Sequence, residues 1–341
     1  MKSGGVLVIA VAAALAARGA GALEVALPTP NSAIFEGGPE FYMYVDRNFQ
    51  GRKSRPWQGG KYGFVRTPVM VDGRKVYRRF HEGIDIKPLR RSSGREPLDP
   101  VMAVADGIVR HVNRNPAHSN YGRYIVIEHD WDGSPVMSLY AHLGALAAER
   151  GQRVERGEKL AIMGYSGRGL NRRRAHLHFE IGLLYNDDFE GWHQTYFAGS
   201  PNRHGIYNGL NIFSADPVEF FARLRRDPAT TPGEFFRSQP AFFTVRIANP
   251  GDLQLLRRYP WLAGGHAGAR PRSWEISFTR SGLAVAAEPS DIAAAEPKLV
   301  SIKNSDVPYR YVTRGLVGGG QGSATLSHTG RRTMHLLTYP E

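Results

Sequence analysis

The sequence predicts a mainly β protein of antiparallel sheets. Short apolar runs with strand character recur at near-regular spacing along much of the chain. Turn signals separate them, among them Asp72-Gly73, Asp106-Gly107 and Asp132-Gly133, and 39 Gly and 22 Pro supply many further breaks. No βαβ alternation and no nucleotide-binding glycine motif is present, which argues against a parallel α/β architecture.

Composition narrows the chemistry. The 341 residues suit one large domain or two modest ones, and 42% hydrophobic with 22% charged residues fits a globular chain. The absence of Cys excludes disulfides, thiolate metal sites and a cysteine nucleophile, so any metal must be held by His and carboxylate. Residues 1–22 read as a secretory signal. Lys2 is the basic start, Val6 to Ala17 an apolar run too short to span a membrane, and Ala20-Gly21-Ala22 the cleavage site. The expectation is an exported chain, periplasmic or extracellular and associated with the cell envelope, with no stable membrane insertion after cleavage. Of the formal charge of +13, the signal carries only Lys2 and Arg18. Such an excess suits a polyanionic partner. An exported protein meets an anionic envelope rather than nucleic acid, so no nucleic-acid partner is expected.

In chain order, residues 23–61 hold Pro28-Thr29-Pro30 and an aromatic patch of Phe41, Tyr42, Tyr44 and Phe49, expected to pack as an extension around the domain that follows. Strands follow from Tyr62: Gly63 to Arg66, Val69 to Val71, Lys75 to Tyr77, Val101 to Val112 in two pieces, Tyr124 to His129, Met137 to His142 and Leu160 to Gly164. Residues 185–213 read as a polar and aromatic loop. Asp216-Pro217 caps the one convincing helix, and Asp227 to Gly233 is the best linker. The domain expectation is therefore 62–227 for a first domain and 228–341 for a C-terminal β-rich accessory region. In the latter, Phe242 to Ile247, Trp274 to Phe278, Leu299 to Ile302 and Thr333 to Thr338 read as strands.

The chain is organised around His176-Leu177-His178-Phe179-Glu180-Ile181. As a strand it turns His176, His178 and Glu180 to one face and Leu177, Phe179 and Ile181 to the other. The apolar face belongs to a core. Two imidazoles on the opposite face can hold zinc, or one can hold it while the other carries protons; an ordinary satisfied pair is the alternative. His81, Gly83 and Asp85 share a strand face in the same way, with Gly83 leaving room between two zinc-suited groups, and His142 ends a further strand.

With these residues collected, the region 62–185 resembles the catalytic domain of the lysostaphin/LytM-type zinc endopeptidases. The matching stretches are His81-Glu82-Gly83-Ile84-Asp85, Ala105 to Val109, Tyr140-Ala141-His142-Leu143, Gly151 through Gly157, Gly164-Tyr165-Ser166-Gly167 and His176 through Glu180. The resemblance implies one Zn2+ per chain held by His81, Asp85 and His178, with His142 and His176 as proton carriers and transition-state stabilisers, and peptidoglycan peptides as substrate. Members that lack zinc act as wall-binding or hydrolase-activating modules, which is the rival expectation; a peptidase acting on envelope proteins is a second. The chain departs from the pattern in Ala175, where Pro is usual, in a longer loop over 87–100, and in Arg172-Arg173-Arg174. That triplet either selects acidic stem peptides or is a solvated face. His129 is expected to be structural, His111, His118, His193 and His204 to lie at the surface, and Ser166 to be a turn residue. Alternation turns Glu82 away from the metal face and leaves Glu180 on it, as a support for a ligand or a salt-bridge partner.

Overall fold

The computed structural model describes residues 23–266 and 268–340, so the expected signal over 1–22 lies outside the described residues. The architecture is mainly β, as the sequence predicts. Among the described residues no helix is long and apolar enough to cross a membrane.

The principal sheet is antiparallel. Its order runs Arg153–Val154, Gly107–Asn113, Tyr124–Trp131, Ser134–Ala141, Leu177–Leu184, Ile212–Ala215. The strand Leu177–Leu184 is buried at every position, as its place inside the sheet demands. One long side pairs with Ser134–Ala141. Its other side is shared: the first residues pair with the short strand Ile84–Ile86 and the last four with Ile212–Ala215. The register sets Asp85 directly opposite His178. The strand Arg74–His81 belongs to a separate hairpin with Gly63–Val71, turned at Asp72-Gly73 where both residues have positive φ. The strand is interrupted at Glu82-Gly83, between the hairpin and the main sheet. A side chain at Gly83 would place its Cβ 2.2 Å from the Phe179 carbonyl oxygen, so the room that glycine provides is taken by the backbone of the central strand.

The C-terminal residues build a second antiparallel sheet, ordered Ala284–Ser290, Ser273–Phe278, Phe243–Ala248, Lys298–Ile302. One continuous apolar core joins it to the principal sheet, and Phe41 and Tyr42 of the N-terminal extension enter the same core. Buried polar contacts tie the two sheets together. The Tyr185 hydroxyl donates to the Gly282 carbonyl at 2.6 Å and accepts from the Ala284 N–H at 2.7 Å. The Tyr259 hydroxyl accepts from the Leu184 N–H and donates to the Pro135 carbonyl, each at 2.9 Å.

Three sequence expectations are corrected. Residues 185–213 are not all loop: Phe189–Phe197 is a helix that buries Phe189, Trp192 and His193. Its mixture of aromatic and polar residues gives a weak periodic signal, and packing decides the outcome. The stretch Asp227 to Gly233 is no simple linker, because Thr231 caps the helix Pro232–Arg237 with a reciprocal Glu234 contact. The run Thr333 to Thr338 is the end of the helix His328–Thr338, in which Met334 and Leu337, three apart, and Leu336 are buried. Its β-branched residues and six-residue apolar window suit either period when read alone.

Removing the Tyr185 hydroxyl should strand the buried Ala284 N–H. Tyr185→Phe is expected to lower the unfolding free energy by about 1–3 kcal/mol, read as a lower midpoint in urea denaturation with an unchanged slope.

Candidate metal centre

His81, Asp85 and His178 come together as one buried group whose donor atoms all lie within 4.8 Å of one another. His81 arrives at the end of the hairpin strand, Asp85 on the short paired strand and His178 on the central strand. Their contacts form a near-regular triangle. His81 Nε2 is 3.0 Å from His178 Nδ1 and 3.0 Å from Asp85 Oδ1, and His178 Nδ1 is 3.1 Å from Asp85 Oδ1.

The outer contacts assign the ring tautomers. His81 Nδ1–H donates to the Lys61 carbonyl at 2.7 Å, which leaves Nε2 as the lone-pair nitrogen. His178 Nε2–H donates to Glu180 Oε1 at 2.8 Å, which leaves Nδ1 as the lone-pair nitrogen. Two imidazole lone pairs and a carboxylate oxygen thus converge with no neutral-ring proton between them. Such an arrangement is unfavourable unless a cation sits among the three. Two nitrogens and one oxygen, with a cavity on the remaining side, also match the three-ligand set of a catalytic zinc site. The residues present therefore fit a metal ion.

Arg66, which the sequence did not single out, donates to Asp85 Oδ2 and approaches His81 Nε2 at 3.0 Å. Burial would raise the Asp85 pKa, but Arg66, His176 and His81 outweigh it and hold the carboxyl well below its usual range. Burial lowers the pKa of His81 despite the attraction of Asp85. Burial also opposes charge on His178, yet its bonds to Asp85 and Glu180 prevail and raise it to about 9. The pocket thus favours positive charge at His178, and a proton and a metal ion compete for the same nitrogen. Glu180 is itself fixed, accepting from the Tyr121 hydroxyl at 2.7 Å and from the Ser214 hydroxyl at 2.8 Å. The sequence placed Glu180 on this face; Tyr121 and Ser214 carry no sequence signal, because one comes from a distant turn and the other from the neighbouring strand Ile212–Ala215.

His142 and His176 stand beside this group, with ring centroids 4.8 Å apart. Each is tethered through Nδ1 to a backbone carbonyl, His142 to Ser166 at 3.0 Å and His176 to Arg174 at 2.6 Å. Both therefore leave Nε2 unprotonated in the neutral ring. The Nε2 of His176 is 3.4 Å from Asp85 Oδ2. Burial, with His176 and His178 nearby, pushes the His142 pKa well down. His142 also has φ 62°, a left-handed conformation that costs energy for a non-glycine residue. Ser166 is more than a turn residue, since its hydroxyl pins the same loop by accepting from the Arg123 N–H and donating to the Leu143 carbonyl.

The group forms the floor of a cavity of about 840 Å³. Glu82 borders that cavity and pairs with Arg314 at 3.0 Å, because strand alternation stops at the interruption between two strands that it occupies. His129 is fully buried and bonded to the Asp106 carbonyl at 2.8 Å, with burial lowering its pKa to about 4, so it is structural. The surface expectation fails for His193, which is buried in its helix, and for His111, whose Nε2 is buried without a partner. His118, His193 and His204 line the cavity wall. The arginine triplet divides. Arg174 lines the cavity, whereas Arg172 turns outward to Glu96 at 2.5 Å.

With this geometry established, comparison identifies the class. Residues 79–188, about a third of the chain, match the model of peptidase family M23. It is similar to the peptidoglycan DD-endopeptidase ShyB of Vibrio cholerae, 34% identical over 159 residues, which is 43% of this chain and 34% of that protein. The chain therefore spans about a third of that relative's length. It is also similar to the murein hydrolase activator NlpD of Escherichia coli, 38% identical over 81 residues, 24% of this chain and 19% of that one. Among solved structures it is similar to a zinc-containing peptidase from Vibrio cholerae, with 30% identity, a TM-score of 0.26 and coverage of 42% and 36% of the two chains.

Glu180→Gln should keep the fold and still weaken divalent-metal affinity about 10–100-fold, measured by chelator competition. An unchanged affinity would show that Glu180 does not support His178 as a ligand.

Proposed function

We propose that this protein is an exported zinc metalloendopeptidase that hydrolyses peptide bonds in peptidoglycan cross-links or stems. One observation carries this reading: the lone pairs of His81, Asp85 and His178 converge on the floor of an open cavity, with two more histidines tethered beside them. Export and an envelope location rest on the N-terminal sequence and on relatives named for peptidoglycan and murein chemistry. On this reading residues 62–227 are the peptidase domain, and 228–341 are an accessory region that buttresses it.

His81, Asp85 and His178 would hold the zinc. When bound, the ion supplies Lewis acidity toward a scissile carbonyl and toward water. The protein's own groups handle the protons. The bond from His142 Nδ1 to the Ser166 carbonyl leaves Nε2 of the neutral ring as the lone-pair nitrogen, which would accept a proton from the attacking water. His176 faces the same space with its orientation set by the Arg174 carbonyl. Once protonated on Nε2, it donates to the developing oxyanion or passes the proton to the leaving amine.

A non-catalytic wall-binding or amidase-activating module is the competing reading, favoured by the similarity to NlpD. The five intact site residues favour the enzyme. Zinc content and release of muropeptides from purified sacculi separate the two: an enzyme releases new products, whereas an activator acts only when an amidase is added.

His81→Ala, Asp85→Ala and His178→Ala should each lose stoichiometric zinc by elemental analysis and lose turnover with it. Full zinc in all three would refute the ligand assignment. His142→Ala and His176→Ala should keep zinc while kcat/KM falls about 10²–10⁴-fold. Zinc loss in His176→Ala with retention in His178→Ala would mean that the two roles are exchanged.

A further inference from the structure

The cavity over the metal-fitting group is lined by six arginines: Arg66, Arg79, Arg168, Arg174, Arg203 and Arg314. Only two carboxylates line it, and both are already engaged, Asp85 with Arg66 and Glu82 with Arg314. The cavity wall thus carries more guanidinium than it can neutralise internally. Within this set Arg174 differs from the others in two respects.

First, its Nε is shut off from solvent and has no hydrogen-bond partner. A buried donor left unpaired is unfavourable, so it marks a place where an acceptor is missing. Second, its backbone is fixed to the reaction machinery. Asn171 caps the turn Arg172–Arg174 by accepting from the Arg174 N–H at 3.2 Å. The Arg174 carbonyl in turn accepts from His176 Nδ1 at 2.6 Å. The residue that orients His176 therefore also presents a guanidinium to the cavity. Its neighbours do not compete for that role: Arg172 is paired with Glu96 and bonded to the Gly94 carbonyl, and Arg173 is exposed and does not line the cavity.

We infer that Arg174 is a specificity residue that binds a free carboxylate of the substrate peptide beside the scissile bond. This rests on the peptidase reading. A guanidinium fork matches a carboxylate through two parallel hydrogen bonds, which a carboxamide cannot accept on both sides. The site therefore separates free-acid stem peptides from amidated ones. Arg79, Arg168 and Arg203 contribute a general attraction to anionic peptides, whereas Arg174 contributes the discrimination, because among these arginines it alone holds an Nε that is shut off from solvent and lacks an acceptor.

The test uses the whole protein and two synthetic cross-linked stem peptides, one with free carboxylates and one with those carboxylates converted to carboxamides. Binding is read by calorimetry on a turnover-deficient His142→Ala background, and turnover on the otherwise native chain. The native protein should prefer the free-acid peptide by about 10–100-fold in Kd and KM. Arg174→Gln should abolish that preference by weakening the free-acid peptide alone. Arg174→Lys, which keeps the charge but not the fork, should retain part of it, and Arg173→Gln should retain all of it. Equal binding of the two peptides by the native protein overturns the inference without reference to any variant. An equal loss for both peptides in Arg174→Gln overturns it as well. Preferential binding of the free-acid peptide with no cleavage of either would sustain the carboxylate site and refute the peptidase reading, so the two failures are distinguishable.

Discussion

The Asp85 carboxylate is the constraint on which the centre depends. It is buried, and each oxygen has a separate duty: Oδ1 faces His81 and His178, while Oδ2 faces Arg66 with His176 at 3.4 Å. A buried carboxylate with fewer partners would take up a proton and stop acting as an anion. Here Arg66, His176 and His81 keep it ionised despite burial. Its position is fixed as firmly as its charge, because the strand that carries it is hydrogen-bonded in register to the strand that carries His178. The glycine two residues earlier lets that pairing close, since any side chain there would meet the Phe179 carbonyl.

The sequence exposes the parts of this arrangement that lie within one strand or one short motif. The alternation of His176, His178 and Glu180 and the spacing of His81 and Asp85 are local, and the structure brings all five expected site residues together. The supports are not local. Lys61 and Ser166 act through backbone carbonyls, which any residue type offers, and Tyr121, Ser214 and Arg66 reach the site from separate segments. The same limit explains the misread helices. Phe189–Phe197 and His328–Thr338 are held by apolar contacts with distant parts of the chain, and their short mixed sequences do not declare a period unaided.

The C-terminal residues are tied into the peptidase-like region at several levels. They share its apolar core, they bond to the C-terminal end of the central strand, Tyr259 to Leu184 and Gly282 to Tyr185, and they send Arg314 to Glu82 beside His81. Arg314 adopts φ 53°, a conformation that ordinary residues rarely take, and it borders the cavity. The wall of the groove is therefore built by two distant parts of the chain. A groove of that kind sets substrate fit through residues outside the motif-bearing region, so resemblance over 62–185 alone does not determine which peptide it accepts.

The two kinds of site residue are held by two kinds of scaffold. The metal-fitting residues sit on or at the ends of hydrogen-bonded strands, where neighbouring pairs limit displacement. The two remaining histidines sit at strand edges and are aimed by single bonds to loop carbonyls. A ligand set must keep its donor geometry through every step, and paired strands supply that rigidity. A proton carrier must change protonation state, and with it its hydrogen-bond partners on the Nε2 side. Anchoring only Nδ1 fixes the ring's direction and leaves the other nitrogen free to exchange. For His176 the anchoring carbonyl belongs to Arg174, so displacement of that loop by substrate would move the proton carrier and the cationic wall together. On the proposed reading, recognition and proton transfer would meet in one residue, Arg174, whose carbonyl holds His176 and whose side chain lines the cavity.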